Sequence, residues 1–350
     1  MNSIIRQKNG SRAVAIWLLV GVGMIMVQVL LGGITRLTGS GLSITEWKPI
    51  LGTFPPMNDV DWLVAFEQYK KIGQFKHINF DFTLSDFKFI YFWEWFHRVW
   101  ARLIGLVFLF PFIYFIWKKK INHEMVIPMI ILFLLGALQG AIGWIMVKSG
   151  LNEENIYVSH IRLAIHFIAA LGLLCYTLWF AFQLLIPKTE QTFQPVLKKG
   201  ALILIGVLIL QLIYGAFMAG LKAGSFAPSW PTMNGQWWPE GIHDSKNGFV
   251  FTDNPLMVQF IHRSLAYLLI LLIITWFLKA RKIVVSKLFN QSRFLPLLLV
   301  ILQVILGILT VVYSTNTRSL LWLGIGHQFV AMLLLMSLVY MCFLLSGKKV

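Results

Sequence analysis

The first apolar stretch of the chain reads AVAIWLLVGVGMIMVQVLLGGIT from Ala13 to Thr35 and contains no charged residue. A helix needs about 20 mostly apolar residues to cross the hydrocarbon core of a bilayer, so this stretch can span it. No small-residue cleavage site is evident there, and we expect the segment to remain as a helix. Seven further stretches of similar length follow, at about 97–117, 126–147, 161–186, 200–220, 258–279, 294–314 and 320–345. The sequence therefore predicts an all-α polytopic membrane protein with eight transmembrane helices.

The composition supports the same class of protein. Of the 350 residues, 58% are hydrophobic and 13% are charged, whereas a soluble domain carries about 25% charged residues. The net charge of +16 comes from Lys and Arg that lie mainly in short loops, which is typical of membrane topology signals and argues against a nucleic-acid partner. Cys175 and Cys342 lie far apart inside apolar stretches, so neither a thiol metal motif nor a disulfide framework is expected.

The basic residues are distributed unevenly between the two sides of the membrane. If the eight stretches alternate in direction, one side carries 16 basic and two acidic residues, and the other carries the remaining 14 basic and 12 acidic residues. Because cytoplasmic loops collect Lys and Arg, we expect both termini to face the cytoplasm of a bacterial inner membrane. The two long loops, about 36–96 and 221–257, would then lie outside.

The second half of the sequence repeats the first half. The repeated glutamine and glycine pairs are Gln28 with Gly32 and Gln139 with Gly143 in the first half, and Gln211 with Gly215 and Gln303 with Gly307 in the second. The dipeptide His97-Arg98 recurs as His262-Arg263 at an offset of 165 residues, and His166 recurs as His327 at an offset of 161. We infer two four-helix bundles, residues 1–190 and 191–350, related by a pseudo-twofold axis along the membrane normal.

Four of the eight histidines belong to this repeat. An ionisable group inside a span is costly and indicates function. His97 and His262 are predicted at the outer ends of their spans, and His166 and His327 one or two turns deeper. Two imidazoles facing each other across each bundle match axial haem ligation, whereas a zinc or copper ion would need three or four close ligands. The other histidines, His77, His123, His160 and His243, are interpreted as loop or interfacial residues.

Arginines lie next to these histidines in the sequence. Arg98 and Arg263 directly follow His97 and His262, and Arg162 lies one turn before the histidine of its own span. A guanidinium group can pair with a haem propionate through two parallel hydrogen bonds. It can equally reach towards lipid headgroups. The sequence leaves both interpretations open.

One position differs between the two halves in a way that indicates different chemistry. Glu94 lies three residues before His97 on the same helical face, and the equivalent position in the second half is Gln259. A carboxylate beside only one of two haems predicts proton-coupled chemistry in the first half and electron transfer in the second. The alternative is that Glu94 only forms an ion pair with Arg98 along the helix.

Several motifs together resemble the haem A synthase family, in the type found in alphaproteobacteria and mitochondria. They are GGITRLTGSGLS at 32–43 continuing to EWKP at 46–49, Glu94-x-x-His97-Arg98, RLAIH at 162–166, AGLKAG at 219–224, His262-Arg263 and His327-Gln328. The resemblance covers residues 15 to 340 approximately. Some members carry a cysteine pair in the first outer loop, which this sequence lacks, so no thiol-based role is expected here.

The resemblance implies an oxidoreductase that converts the C8 methyl group of haem O into the formyl group of haem A, for cytochrome c oxidase. It implies that His262 and His327 ligate a resident haem b beside Arg263. The substrate haem would be held by His97 and His166 with Arg98 and Arg162, and Glu94 would assist the oxidation. The expected partners are haem O synthase and an electron donor such as a ferredoxin, and the sequence is compatible with a homo-oligomer.

Two other classes of protein share some of these features. A dihaem b-type cytochrome that only carries electrons would use the same ligands, but it would not need Glu94. A transporter built from repeats would use the histidines as proton relays. A haem absorption spectrum separates the transporter from the other two, and chromatography of extracted haems separates the enzyme from the electron carrier.

Overall fold

The computed structural model of the protein describes residues 2–46, 51–244 and 248–348. The end of the first family motif, residues 47–49, therefore lies outside the described residues. The helices are α1 (Asn2–Leu37), α2 (Asp59–Tyr69), α3 (Gly73–His77), α4 (Leu84–Trp117), α5 (His123–Lys148), α6 (His160–Leu185), α7 (Pro195–Gly220), α8 (Pro255–Ala280), α9 (Lys287–Ser292), α10 (Leu295–Val312) and α11 (Thr317–Leu344). Two short strands, β1 (His243–Asp244) and β2 (Gly248–Phe249), pair antiparallel.

Among the described residues, eight helical segments are long and apolar enough to cross a membrane, which confirms the predicted number of spans and the all-α class. They are α1 from Arg12, α4, α5, α6, α7, α8, α9 together with α10, and α11. In the described residues the only sheet is the β1–β2 pair, which lies in the connection between α7 and α8. The described residues therefore form mainly a bundle of helices that are long and apolar enough to span a membrane.

The largest difference from the predicted spans concerns α4. This helix begins at Leu84 after a capping box formed by Thr83 and Asp86, and not near residue 97. It continues for more than three turns before His97, so the prediction that His97 lies at the end of its helix is wrong. Charged residues such as Lys88 and Glu94 lower the hydropathy of this first part, which is why an apolar-length criterion missed it.

The helices of the two halves pack in matching pairs. In the first half, α1 packs against α4 and α6, and α5 packs against the same two helices. In the second half, α7 packs against α8 and α11, and α10 also packs against both of these helices. Between the halves, α6 packs against α7 and α1 packs against α11. These matched contacts are consistent with the repeat in the sequence. The side with the α1–α4 and α7–α8 connections is called the loop face here.

A small cap covers the first half on the loop face. It consists of α2, α3 and the start of α4, and its apolar core includes Phe66, Tyr69 and Phe87 together with Leu42 from the α1–α2 connection. Burial raises the pKa of Tyr69 to about 12, so its hydroxyl keeps its proton and donates to Gln74 Oε1 at 3.0 Å. The cap therefore holds the segment after α1 in a defined position.

The chain leaves α1 and α7 through equivalent turns. Gly39 has a φ of +70° and Lys222 has a φ of +52°, and each lies eleven residues after the repeated glutamine of its helix, Gln28 or Gln211. Gly reaches this left-handed conformation without a steric penalty, whereas Lys does not. The repeat thus extends from the helices into the loop-face connections, which start in the same backbone conformation.

Candidate functional site

Each of the four repeated histidines is held by a glutamine on the spanning helix that precedes it in the sequence. The contacts are Gln28 Nε2 to His97 Nε2 at 2.8 Å, Gln139 Nε2 to His166 Nδ1 at 3.1 Å, Gln211 Nε2 to His262 Nε2 at 3.2 Å, and Gln303 Nε2 to His327 Nε2 at 3.1 Å. One ring nitrogen of each imidazole therefore faces an amide. At His262 and His327 the other ring nitrogen, Nδ1, has no hydrogen-bond partner among the described residues.

A glycine one turn after each glutamine makes room for the same imidazole. An ideal Cβ added at the glycine would lie 3.4 Å from the His97 ring at Gly32, 2.8 Å from His166 at Gly143, 3.3 Å from His262 at Gly215 and 3.0 Å from His327 at Gly307. Residues four apart lie on one helical face, and small residues let neighbouring elements approach closely in membrane helices. The Gln-x3-Gly unit is therefore a cradle for an imidazole, a role that the sequence analysis did not recognise.

In the second half, the spacing and the free nitrogen atoms of His262 and His327 suit two ligands of one iron porphyrin. Their ring centres are 6.5 Å apart. A metal–imidazole bond is about 2 Å long, and the ring centre lies about 1 Å beyond the bonded nitrogen. Two imidazoles bound to one metal would therefore have ring centres about 6 Å apart, which is close to the distance found here. The Nδ1 atoms of both rings are buried without a hydrogen-bond partner. An unsatisfied buried nitrogen is costly unless it has a ligand, so the donor set suits axial ligation.

The glutamines are suited to orient the rings for such ligation. The Oε1 atoms of all four glutamines are buried without a partner, at Gln28, Gln139, Gln211 and Gln303. Rotation of each amide by half a turn would let its oxygen accept the imidazole N–H. Metal-bound histidines usually donate their second N–H in this way, which fixes the ring orientation.

The first half brings His97 and His166 into one region between α4 and α6. The two imidazoles are close enough to interact electrostatically, and both are only partly buried. Gln139 also donates to the backbone carbonyl of His166 at 2.9 Å. Within the described part of the chain, no three His, Cys, Asp or Glu side chains are grouped so that they could hold a bare metal ion.

Glu94 is buried and accepts hydrogen bonds from three donors. Arg98 Nη2 lies 2.5 Å from Glu94 Oε1, so the ion pair considered in the sequence analysis is present. In addition, Ser43 Oγ donates to Oε2 at 2.7 Å and the Ile44 N–H donates to the same oxygen at 2.8 Å. The carboxylate is therefore fixed by the segment after α1. Ser43 was not singled out from the sequence as a contact of Glu94, although it lies inside the first family motif.

Two of the three arginines predicted near haem propionates contact backbone carbonyls of the loop-face connections. Arg98 donates to Ile44 O at 3.1 Å, and Arg263 donates to Ala227 O, Ser229 O and Thr232 O at 3.1, 2.8 and 3.3 Å. Arg162 is exposed and donates to Ile145 O at 3.0 Å. The pairing of these three side chains with propionates stays a prediction.

Comparison with known proteins places this arrangement in a family. A family described as cytochrome oxidase assembly protein matches residues 15–339. The chain is 45% identical to the haem A synthase of Flavobacterium psychrophilum over 94% of this chain and 97% of that protein. It is 40% identical to the haem A synthase of Flavobacterium johnsoniae over 95% and 98% of the two chains, and 38% identical to that of Paracoccus denitrificans over 92% and 84%. The chain therefore belongs to the cytochrome oxidase assembly protein family.

Proposed function

We propose that this chain is a haem A synthase, which oxidises the C8 methyl group of haem O to the formyl group of haem A for cytochrome c oxidase. The observation that carries the proposal is the set of four histidine cradles, two in each half, with a carboxylate beside the histidines of only one half. Near-full-length similarity to proteins named haem A synthase supports this proposal over an electron carrier. A protein that only transferred electrons would have no use for the difference between Glu94 and Gln259.

In the proposal the two halves have separate tasks. The second half, residues 191–350, binds a resident haem b through His262 and His327. The first half, residues 1–190, binds the substrate haem through His97 and His166. An iron porphyrin supplies redox chemistry that side chains cannot perform. The protein holds each imidazole by its glutamine and thereby sets the orientation of each bound ring.

Glu94 acts next to the substrate in this proposal. It lies almost one turn before His97 on α4, and its two oxygens are held by Arg98, Ser43 and the Ile44 N–H. A carboxylate fixed in this way can accept a proton or stabilise positive charge that develops on the substrate during oxidation. Because the donors hold the group in place, it needs no rearrangement when that charge appears.

The proposal also defines the surroundings of the reaction. Haem O would come from a haem O synthase, and an electron partner such as a ferredoxin would exchange electrons with the resident haem. The uneven distribution of Lys and Arg supports an inner-membrane location with both termini in the cytoplasm. The loop face would then be external. The long apolar tail of haem O would enter between lipid-exposed helices such as α4 and α5.

The test is to express the full chain with a source of haem O and to chromatograph the haems extracted from the purified protein. Haem A, or its hydroxylated precursor, is the expected product. Glu94→Gln serves as the matched control, because it should keep a haem absorption spectrum and yield no product. Haem O that persists unchanged in wild-type protein with intact haem spectra would favour the electron carrier and overturn the proposal.

A further inference from the structure

A polar side chain crosses the interface between the two halves directly after a proposed haem ligand. Gln328 follows His327 on α11, and its Nε2 donates to the backbone carbonyl of Val29 on α1 at 3.2 Å. Gln328 belongs to one of the family motifs, but the proposed function assigns it no role. The hydrogen bond links a helix that carries a histidine of the second half to a helix that supports a histidine of the first half.

The amide of Gln328 lies directly on the surface of α1. An ideal Cβ added at Gly33 would collide with Gln328 Oε1 and would lie 3.2 Å from its Cδ. Val29 and Gly33 are one turn apart on α1, so the amide covers one turn of this helix. A side chain at position 33 would push the amide away. Gly33 therefore allows Gln328 to reach the backbone of α1.

The turn of α1 that Gln328 covers also supports His97. Gln28 and Gly32, which form the cradle of His97, each lie one residue before the two positions that Gln328 contacts. Gln28 Nε2 lies 2.8 Å from His97 Nε2. Because residues of one helical turn share a rigid backbone, a shift of this turn would move the whole cradle relative to the imidazole.

The surroundings of this contact are mainly apolar. The largest apolar cluster of the molecule contains Val29 from α1, Leu171 from α6, Leu208 from α7 and Leu338 from α11. These side chains hold the halves together, so we expect the halves to stay together without the hydrogen bond of Gln328. A polar contact inside an apolar helix interface fixes the register of the two helices.

The equivalent position in the first half cannot form such a hydrogen bond. Phe167 follows His166 on α6, and Ala216 follows the cradle glycine of α7 as Gly33 does in α1. Phe167 packs against the apolar cluster that contains Ala216, and its ring has no N–H to donate. The polar contact after the deeper histidine therefore reaches from the second half to the first half and has no equivalent in the opposite direction.

We infer that Gln328 is a positioning residue for the first half, which holds α1 against α11, fixes the cradle of His97 and thereby strengthens the binding of haem there. The inference rests on the proposed function, because that function places the substrate haem at His97. Groups that orient a metal-binding histidine typically change metal affinity or activity by about 10–100-fold. Gln328 acts through α1, so we expect an effect near the lower end of this range.

The test is a titration of the full-length protein, purified with haem in its second half, with haem O in the absence of oxygen. The change in absorption on coordination of the iron by two imidazoles reports binding. Gln328→Ala should raise the dissociation constant of haem O by about tenfold and leave the haem content of the second half unchanged. In turnover, KM for haem O should rise more than kcat falls. Unchanged haem O affinity would overturn the inference.

A second variant displaces the amide of Gln328 without replacing this residue. Gly33→Ala should weaken haem O binding to a similar extent, because its Cβ takes the place of the amide. In the Gln328→Ala background, Gly33→Ala should have little further effect, since the added Cβ no longer meets an amide. If the two substitutions weakened binding additively, they would act independently and the inference would be wrong.

The matched control on α11 is Ser337→Ala. The hydroxyl of Ser337 is buried and donates to Leu334 O within the same helix at 2.7 Å, so its loss should leave haem O affinity unchanged. Equal weakening by Ser337→Ala and Gln328→Ala would assign the effect to the general stability of α11 and overturn the inference. Loss of the second-half haem in Gln328→Ala, in proportion to the loss of haem O affinity, would have the same meaning.

Failure of this inference and failure of the proposed function give different results. If the wild type makes haem A and binds haem O as tightly as Gln328→Ala does, the positioning role is refuted and the proposed function stands. If haem O binding depends on Gln328 in a protein that makes no haem A, the enzymatic function is refuted and the positioning role stands.

Discussion

The two halves of the molecule use the same loop position with opposite hydrogen-bond polarity. Ile44 and Ala227 each lie sixteen residues after the first repeated glutamine of their half. Ile44 donates its N–H to the carboxylate of Glu94, whereas the carbonyl of Ala227 accepts from Gln259 Nε2 at 2.9 Å. Glu94 has no N–H to donate, and the Gln259 amide has two. Where the first half has Glu94, the backbone of the connection donates the hydrogen bond, and where the second half has Gln259, the backbone accepts it.

The arginines of the two halves make a contact that is the same in both. Arg98 contacts the carbonyl of Ile44 and Arg263 contacts the carbonyl of Ala227, so each holds the same connection over its own half. Only Arg98 also pairs with an acidic side chain. The comparison shows that a common arrangement holds both pairs of histidines, and that the two halves differ in the hydrogen bonding of position 94 and its counterpart.

The strongest test of this comparison replaces histidines of one half at a time by alanine. His262→Ala and His327→Ala should abolish resident haem, because each variant removes one of the two imidazoles that would hold the haem in this proposal. His97→Ala should retain that haem and lose product formation. The measurements are a reduced-minus-oxidised spectrum and the haem-to-protein ratio. Loss of the resident haem in His97→Ala would show that the tasks of the halves are not separated as we propose.

The next test replaces Glu94 by glutamine, the residue at the equivalent position of the second half. Glu94→Gln should lower the rate of product formation by about 100-fold or more, since an amide cannot replace a carboxylate in proton transfer, and it should leave resident haem unchanged. Wild-type turnover would remove the proposed role of Glu94.

The reciprocal variant tests the backbone contact in the second half. Gln259→Glu places a carboxylate oxygen against the carbonyl of Ala227, which keeps its hydrogen bond from Arg263. We expect a loss of stability of about 1–3 kcal/mol, because the new buried oxygen faces an acceptor where a donor is needed. A thermal melt followed by size-exclusion chromatography measures this loss. An unchanged melting temperature would show that the polarity of this contact does not matter.

The glycine cradles predict a graded effect. Gly143→Ala and Gly307→Ala bring a Cβ to 2.8 and 3.0 Å from an imidazole, whereas Gly32→Ala and Gly215→Ala leave 3.4 and 3.3 Å. The first pair should therefore displace its histidines more than the second pair. We expect Gly143→Ala to lower turnover by about tenfold, and Gly307→Ala to lower resident haem binding by a similar factor, comparable to other losses of ligand support.

The control variants for this series are Gly140→Ala and Gly206→Ala, which meet no atom within 4 Å. They should be neutral or stabilising by up to about 1 kcal/mol, because Ala is the better helix former. Turnover is measured by haem chromatography, and haem content by absorption. If alanine at all four of these glycines lowered turnover or haem content equally, the distance between the added Cβ and the imidazole ring would not determine the effect, and the prediction would be wrong.

The smallest expected effect concerns Ser43, which contacts Glu94 and has Phe226 at the equivalent position of the second half. Ser43→Ala removes one of three donors to the carboxylate, whereas Arg98 and the Ile44 N–H still hold it. We therefore expect kcat to fall only a few-fold, while KM and haem content stay the same. Ser225→Ala, whose hydroxyl donates to Lys222 O, is the matched control in the second half. A change in KM or haem content with unchanged kcat would indicate a purely structural role.

The spans and the four histidines could be predicted because their signals are local or repeated. Apolar length identifies a spanning helix without any knowledge of its neighbours, and regular offsets link His97 to His262 and His166 to His327. The extent of α4 could not be predicted in this way, because the helix continues through a polar and aromatic segment beneath the cap. Tertiary packing there outweighs the hydropathy of the segment.

The contacts of the site depend on the folded chain. The sequence alone determined the class of membrane protein, the repeat, the paired histidines and the difference between Glu94 and Gln259. The packing of the folded chain established that Gly143 and Gly307 make room for imidazoles, that Ser43 holds Glu94, and that Arg263 holds backbone carbonyls. These contacts join residues from different helices and loops, and their partners follow from how the segments pack, which no local pattern of residues specifies.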